Sequence, residues 1–333
     1  MKKILFIALA ALFSAANAPA QLINGAGSSF DKPAFSAWFD AYAATDPAVH
    51  FNYQAVGSGA GQKQLLSETV DFGASDAPMA DDAMSKAPYK ILHIPVVAGA
   101  VVVSYNLPGN PKLKLDADTL AGIFLGTITK WNDPKIAALN SGVSLPDMTV
   151  VVIHRSDGSG TSFIFTDYLS AVSPEWSSKI GKATSVNWPT GLGGKGNEGV
   201  AGQIKQLPGS IGYVELAYAE QNKLPFADLK NAAGKFVTAS PDTVSKAMAT
   251  ATIPDDFRFS MVNAPGAESY PIAGASWILI YQKQAKAENG KKLIAFLKFA
   301  VTKGQKISPS LSYAPLPDSV QARVLTLLDT VTY

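Results

Sequence analysis

Apolar residues along the chain switch repeatedly between a spacing of two and a spacing of three to four. Val49-His50-Phe51-Asn52-Tyr53-Gln54 alternates with period two and predicts a strand. Gln62 to Glu68 predicts the following helix, and Val70-Asp71-Phe72-Gly73 a short strand running into a turn. Ile91 to Tyr105 is apolar and rich in β-branched residues throughout, as expected of strand buried on both faces. Further strands are predicted at Thr149 to His154, Ile211 to Val214 and Ser276 to Tyr281. Helices are predicted at Thr119 to Leu125, Pro134 to Leu139, Ser162 to Val172, Pro241 to Ala249, Lys291 to Thr302 and Ser319 to Leu328. Alternation of the two element types from end to end predicts an α/β fold.

The first residues break this pattern. Met1-Lys2-Lys3 is followed by an apolar run to about Phe13 and by small residues ending Ala18-Pro19-Ala20. A basic head, an apolar stretch too short to span a bilayer and an A-x-A exit predict a Sec signal peptide over residues 1–20, cut after Ala20. The protein is therefore expected to be exported. Lys and Arg number 28 and Asp and Glu 26, so losing Lys2 and Lys3 leaves 26 against 26. A near-neutral mature chain gives no reason to expect nucleic-acid or membrane-surface binding. There is no cysteine, which excludes disulfides, thiolate catalysis and cysteine metal sites. About 310 mature residues fit two domains. No linker rich in Pro or Ser divides them, so the chain is expected to cross between domains more than once, near Pro95-Val96-Val97 and Tyr270-Pro271-Ile272.

The most informative stretch is His154-Arg155-Ser156-Asp157-Gly158-Ser159-Gly160-Thr161-Ser162-Phe163, between a predicted strand and a predicted helix. Ser159, Gly160 and Thr161 place unpaired N–H groups and two hydroxyls at a helix start, which suits an oxyanion. Arg155 adds a planar fork that matches two anion oxygens at once. An ordinary N-cap turn beside a surface arginine would have the same composition. Two more Ser/Gly turns at helix starts weigh against that reading. Gly25-Ala26-Gly27-Ser28-Ser29-Phe30 offers the Ser29 hydroxyl and the Phe30 N–H, and Gly57-Ser58-Gly59-Ala60-Gly61 offers Ser58. All three are expected at the carboxyl edge of the sheets, where open α/β sheets bind ligands.

Asp71-Phe72-Gly73-Ala74-Ser75-Asp76-Ala77-Pro78 contributes a carboxylate to this set of donors. A turn aspartate often bonds only its own backbone. In an anion site Asp76 has a different consequence: it accepts a hydrogen from a protonated oxyanion and repels one with no proton. Phosphate at neutral pH carries one or two protons and sulfate none, so Asp76 selects against sulfate.

With these motifs the chain resembles the periplasmic phosphate-binding proteins of phosphate-specific ABC transporters. The likeness spans essentially the whole mature chain. Besides the turns above and Tyr53–Gly61, it includes Trp188-Pro189-Thr190-Gly191-Leu192-Gly193-Gly194-Lys195-Gly196-Asn197 and Leu207-Pro208-Gly209-Ser210-Ile211-Gly212-Tyr213-Val214-Glu215. The resemblance implies the bilobal periplasmic-binding-protein fold of type II, with two α/β lobes joined by hinge crossings around a ligand cleft. One lobe would comprise residues 21–95 and 268–333, the other 96–267. It implies phosphate held by Ser29, Phe30, Ser58, Asp76, Arg155, Ser159, Gly160 and Thr161, with Asp157 orienting Arg155 as its salt-bridge partner. It also implies a monomer in the periplasm that delivers phosphate to an inner-membrane permease and its ATPase, without cofactor, metal or catalysis. Ser29 stands where that family often has Thr, and Gly57–Gly61 departs from the commoner Gly-Ser-Ser-Gly-Gly.

Other signals carry less. Gly191–Gly196 formally matches G-x-G-x-x-G but follows Trp-Pro-Thr and lacks a surrounding dinucleotide unit, so it predicts no nucleotide site. His50, His93 and His154 lack metal-ligand spacing, although His154 is placed to brace Arg155. Trp131, Trp188 and Trp277 are read as packing residues. The rival from another class is an exported phosphatase using the same anion cradle, which needs a nucleophile with a positioned base or a metal cluster.

Overall fold

A computed structural model describes residues 21–333; the leader and cleavage site expected over residues 1–20 lie outside it. The strands in chain order are β1 (Gln21–Gly27), β2 (Val49–Gln54), β3 (Phe72–Ser75), β4 (Ile91–Tyr105), β5 (Lys114–Leu115), β6 (Val151–Arg155), β7 (Leu192–Gly194), β8 (Ser210–Glu215), β9 (Asp228–Lys230), β10 (Phe236–Val237) and β11 (Ala273–Tyr281). Eight of them form one sheet in the order β2-β1-β3-β11-β4-β8-β6-β7, and β10-β9-β5 form a small second sheet.

The long sheet has three zones. β2, β1 and β3 are parallel, β8, β6 and β7 are parallel, and the antiparallel pair β11 and β4 lies between the two sets. β4 belongs to both halves, because Ile91–Ala100 pairs with β11 and Val101–Tyr105 with β8. All fifteen residues of β4 are buried, as its unbroken apolar run requires.

Its change of partner falls at Ala100/Val101, three residues past Pro95-Val96-Val97. Pro95 instead sits at an irregularity in the β4–β11 pairing, where the register shifts between Ser276 and Trp277. A bulge is where a residue without an N–H fits inside a ladder. The Tyr270–Ile272 stretch does meet the changeover, since the Val101 N–H donates to the Ile272 carbonyl at 2.9 Å.

Two predicted helices begin earlier than their apolar spacing implied. One spans Ser58–Leu66 and the other Gly160–Val172. In each, the Ser/Gly turn is the first helical turn rather than a loop before it. Gly57, with φ of 96° in the left-handed region, makes the break from β2 into the first of these helices. The helices Pro134–Leu139 and Pro241–Ala249 match their predicted bounds.

Parallel strands end on the same edge. β1, β2 and β3 therefore bring residues 28–31, 57–58 and 76 to one edge, and β6, β7 and β8 bring 156–161, 195–197 and 215 to another. The backbones of β1 and β3 approach closely there: a Cβ on Gly27 would lie 2.0 Å from the Ala74 carbonyl oxygen. Trp131 and Trp277 are buried in the core, with their indole N–H groups on the Gly209 and Phe257 carbonyls.

Candidate anion-binding site

The two edges meet. Ser29, Phe30, Ser58, Asp76, Arg155, Ser159 and Thr161 are each at most 3% exposed and join one polar cluster, with the buried Gly160 among them. Backbone and side-chain bonds cross between edges: the Gly59 N–H reaches the Gly158 carbonyl at 2.9 Å, and the Gly160 N–H reaches Ser58 Oγ at 3.1 Å. Gly160 permits this approach, because a Cβ there would lie 2.5 Å from both Asp76 Oδ2 and Ser58 Oγ.

Each hydroxyl of the cluster already accepts N–H bonds from the protein. Ser29 Oγ accepts from the Asn197 backbone N–H at 3.1 Å and from Asn197 Nδ2 at 3.0 Å. Ser58 Oγ accepts from the Asp76 and Gly160 N–H groups, at 3.2 and 3.1 Å. Thr161 Oγ1 accepts from Arg155 at 3.3 Å and from Asn197 Nδ2 at 3.1 Å. Ser159 caps its helix by accepting the Ser162 N–H at 3.0 Å. A hydroxyl whose lone pairs are engaged acts through its hydrogen. Ser29, Ser58 and Thr161, each accepting two such bonds, are therefore set up as donors, and Ser159 accepts one. Ser58 has only a long contact of 3.5 Å with Asp76 Oδ2 for its own hydrogen.

Arg155 is held by Asp157 through two bonds, Nε to Oδ1 at 2.8 Å and one terminal nitrogen to Oδ2 at 2.5 Å. This fixes the plane of the guanidinium and leaves its other terminal nitrogen toward Thr161. Burial pushes the Asp157 carboxyl up, but Arg155 and the Gly196 N–H outweigh it and leave the carboxyl below its ordinary value. Above the usual carboxylate range the pair is intact; it is lost only as pH falls through the depressed value. Asp76 is moved the other way. Burial raises it to about 6, against the opposing effects of Ser28, Ser276, Arg155 and Ser58. At pH 7 it is a charged acceptor among donors.

Two backbone donors expected to face a ligand have partners inside the protein. The Phe30 N–H is bonded to Ser28 Oγ at 2.9 Å, and the Gly160 N–H to Ser58 as above. His154 makes no bond to the Arg155 guanidinium: its Nδ1 lies 3.0 Å from the Arg155 carbonyl oxygen and its ring stacks on Trp188. Among the described residues no group of three or more His, Cys, Asp or Glu is arranged to hold a metal ion.

Asn197 was missed by sequence reasoning. It ties Ser29 to Thr161, and its Oδ1 accepts the Glu215 N–H at 3.0 Å. The Gly-rich stretch before it contains β7, parallel to β6, and leads into the helix Gly196–Gln206. It thus repeats the strand–Gly–helix pattern of the other turns, a signal hidden once the stretch was read as a failed dinucleotide motif.

Residues 14–303 match the family model of the PBP superfamily domain. The chain is 44% identical over 322 residues to the phosphate-binding protein PstS of Pasteurella multocida, covering 95% of this chain and 93% of that one. It is 43% identical over 311 residues to PstS of Haemophilus influenzae, covering 92% of each. The chain belongs to the PstS family. Solved structures share the bilobal fold of PstS proteins. A phosphate-binding protein from Stenotrophomonas maltophilia aligns with TM-score 0.70 at 20% identity, over 92% of this chain and 93% of that one. A human phosphate-binding apolipoprotein aligns with TM-score 0.73 at 19% identity, over 91% and 93%.

Proposed function

We propose that this PstS-family chain binds inorganic phosphate with high affinity between its two lobes and delivers it to an ABC permease for import. One observation carries the reading: hydroxyls from three distant stretches accept N–H bonds and converge with one arginine and one carboxylate. Such a site gives hydrogens to most faces of a tetrahedral anion and takes one back at Asp76. The ligand set is Ser29, Phe30, Ser58, Asp76, Arg155, Ser159, Gly160 and Thr161, oriented by Asp157 and Asn197, with the Phe30 and Gly160 N–H groups exchanging Ser28 and Ser58 for anion oxygens on binding. The lobes are residues 21–95 with 268–333, and 96–267. The protein works as a monomer in the periplasm after cleavage at Ala20, and its partners are phosphate and the inner-membrane permease with its ATPase.

It acts without catalysis. None of the three histidines is placed as a base beside Ser58, Ser159 or Thr161. His154 is engaged by the Arg155 carbonyl and Trp188, His93 accepts the Met79 N–H at 2.9 Å, and His50 is exposed on β2. Burial drives His93 down to about 4, so it is neutral at pH 7.

Calorimetry on protein stripped of bound anion tests the reading. Phosphate should bind at about micromolar Kd or tighter, and sulfate much more weakly at pH 7. Equal affinity for the two anions contradicts it, as does turnover of a chromogenic phosphate ester that is lost in Ser159→Ala. Asn197→Ala should weaken phosphate about tenfold, because Ser29 and Thr161 each lose one of the two bonds that set their hydroxyls. A melting temperature near that of the parent would locate this effect in the site.

A further inference from the structure

Asp31 is a second buried carboxyl beside Asp76, and the ligand set above gives it no task. It follows the turn after β1, directly before the helix Lys32–Ala43, and is completely buried. Its neighbour Lys32 is not its partner, being paired with Glu198 at 2.9 Å. Ser276 Oγ, from β11, lies 2.6 Å from Asp31 Oδ2 and 2.8 Å from Asp76 Oδ1. The Tyr53 hydroxyl is 3.5 Å from Asp31 Oδ1, and its hydrogen is committed to the Ser28 carbonyl.

One serine hydroxyl has one hydrogen, yet here it meets two carboxyl oxygens at hydrogen-bonding distance. The second hydrogen between them has to come from a carboxyl. Asp76 is the worse host for it, because Arg155, Ser28 and Ser58 stabilise its charged form. Asp31 is the better host: it is fully buried, and the Asp76 charge is its neighbour.

We propose that Asp31 is a positioning residue that keeps its proton at neutral pH and donates it to Ser276 Oγ, so that Ser276 donates to Asp76 Oδ1. Asp76 then stays charged, with one oxygen occupied and Oδ2 turned to the Ser58–Gly160 side to accept the hydrogen of a protonated oxyanion. This rests on the phosphate reading of the site. Burial, and next the charge of Asp76, raise the Asp31 carboxyl well above its ordinary value, in agreement with the geometry. The other titratable groups packed around it are Tyr53, Tyr218 and Tyr313, which burial raises, and Glu215, which burial likewise raises. Arg155 is the cation of the cluster, and it acts on Asp76.

At alkaline pH Asp31 ionises, and Ser276 has one hydrogen for two carboxylates. Asparagine at position 31 reproduces the protonated acid, because its Nδ2 donates and does not titrate. The test is the ratio of phosphate Kd values for the parent and Asp31→Asn from about pH 6 to about pH 10, in which the ionisation of phosphate itself cancels. The two should agree within about threefold at pH 7, and the parent should become about tenfold weaker than the variant at the alkaline end. Asp31→Ala, which supplies no donor, should be about tenfold weaker than Asp31→Asn at pH 7. A flat ratio, or an Asn variant as weak as the Ala variant, overturns the proposal. Infrared difference spectra of the parent and Asp31→Asn at neutral pH provide a readout without ligand. A protonated-carboxyl band in the parent alone is expected, and its absence overturns the proposal whether or not phosphate binds. Should the band be present while the parent fails to bind phosphate, the phosphate reading falls and the proton on Asp31 stands.

Discussion

Arg155→Ala should weaken phosphate binding by about 2–5 kcal/mol, roughly 30-fold to several thousand-fold. The loss has two sources. The anion loses a planar donor, and the Asp157 carboxylate, only 13% exposed, is left facing the cleft without the partner that neutralised it. Asp76 also loses the cation that offsets its charge. Arg155→Lys should recover little, since one ammonium cannot make two bonds to Asp157 and still reach Thr161. Calorimetric titration of both variants, beside their melting curves, checks this. A Lys variant within a few-fold of the parent would show that charge alone, and not the fork, is what the anion meets.

Asp76→Asn should narrow the preference for phosphate over sulfate by about 10- to 100-fold, chiefly by admitting sulfate. A buried acceptor facing an anion that brings no hydrogen costs about 1–3 kcal/mol, and more when it is charged. Asparagine removes the charge and can present an N–H instead. The pH dependence follows from the same residue. Because the carboxyl is raised to about 6, it is charged above that value and protonated below it. Sulfate affinity of the parent should therefore rise as pH falls through about 6, and that rise should be missing in Asp76→Asn. Competition titrations with the two anions across this range decide it. A parent whose sulfate affinity is flat through pH 6 contradicts the role given to Asp76.

The fold was legible where local chemistry alone determines it. The period-two run Val49–Gln54 is β2, and Pro134–Leu139 and Pro241–Ala249 are helices whose starts carry proline and a capping side chain. The turns were legible as helix starts but not their exact phase. Ser58 and Gly160 lie inside the first helical turn because Ser and Gly carry weak helix propensity and the contact between the two edges overrides it.

Asn197 and Ser276 were not legible, for a physical reason. Their roles are hydrogen bonds between residues 168 and 200 positions apart, to Ser29 and to Asp76. No spacing rule reaches that far: the changeover in β4 joins the halves that carry Asn197 and Ser29, and the pairing of β11 with β3 brings Ser276 to Asp76. The three Ser/Gly turns converged as expected because each follows a parallel strand, which places their edges by topology.

A high-resolution crystal structure of the protein grown with phosphate would show whether the donors and Asp76 surround one anion. One phosphate should touch Ser29, Ser58, Arg155, Ser159 and Thr161, with one of its oxygens at about 2.5–2.7 Å from Asp76 Oδ2, the length of a hydrogen bond donated to a carboxylate. Phosphate bound away from these residues, or bound among them with Asp76 turned aside, would contradict it.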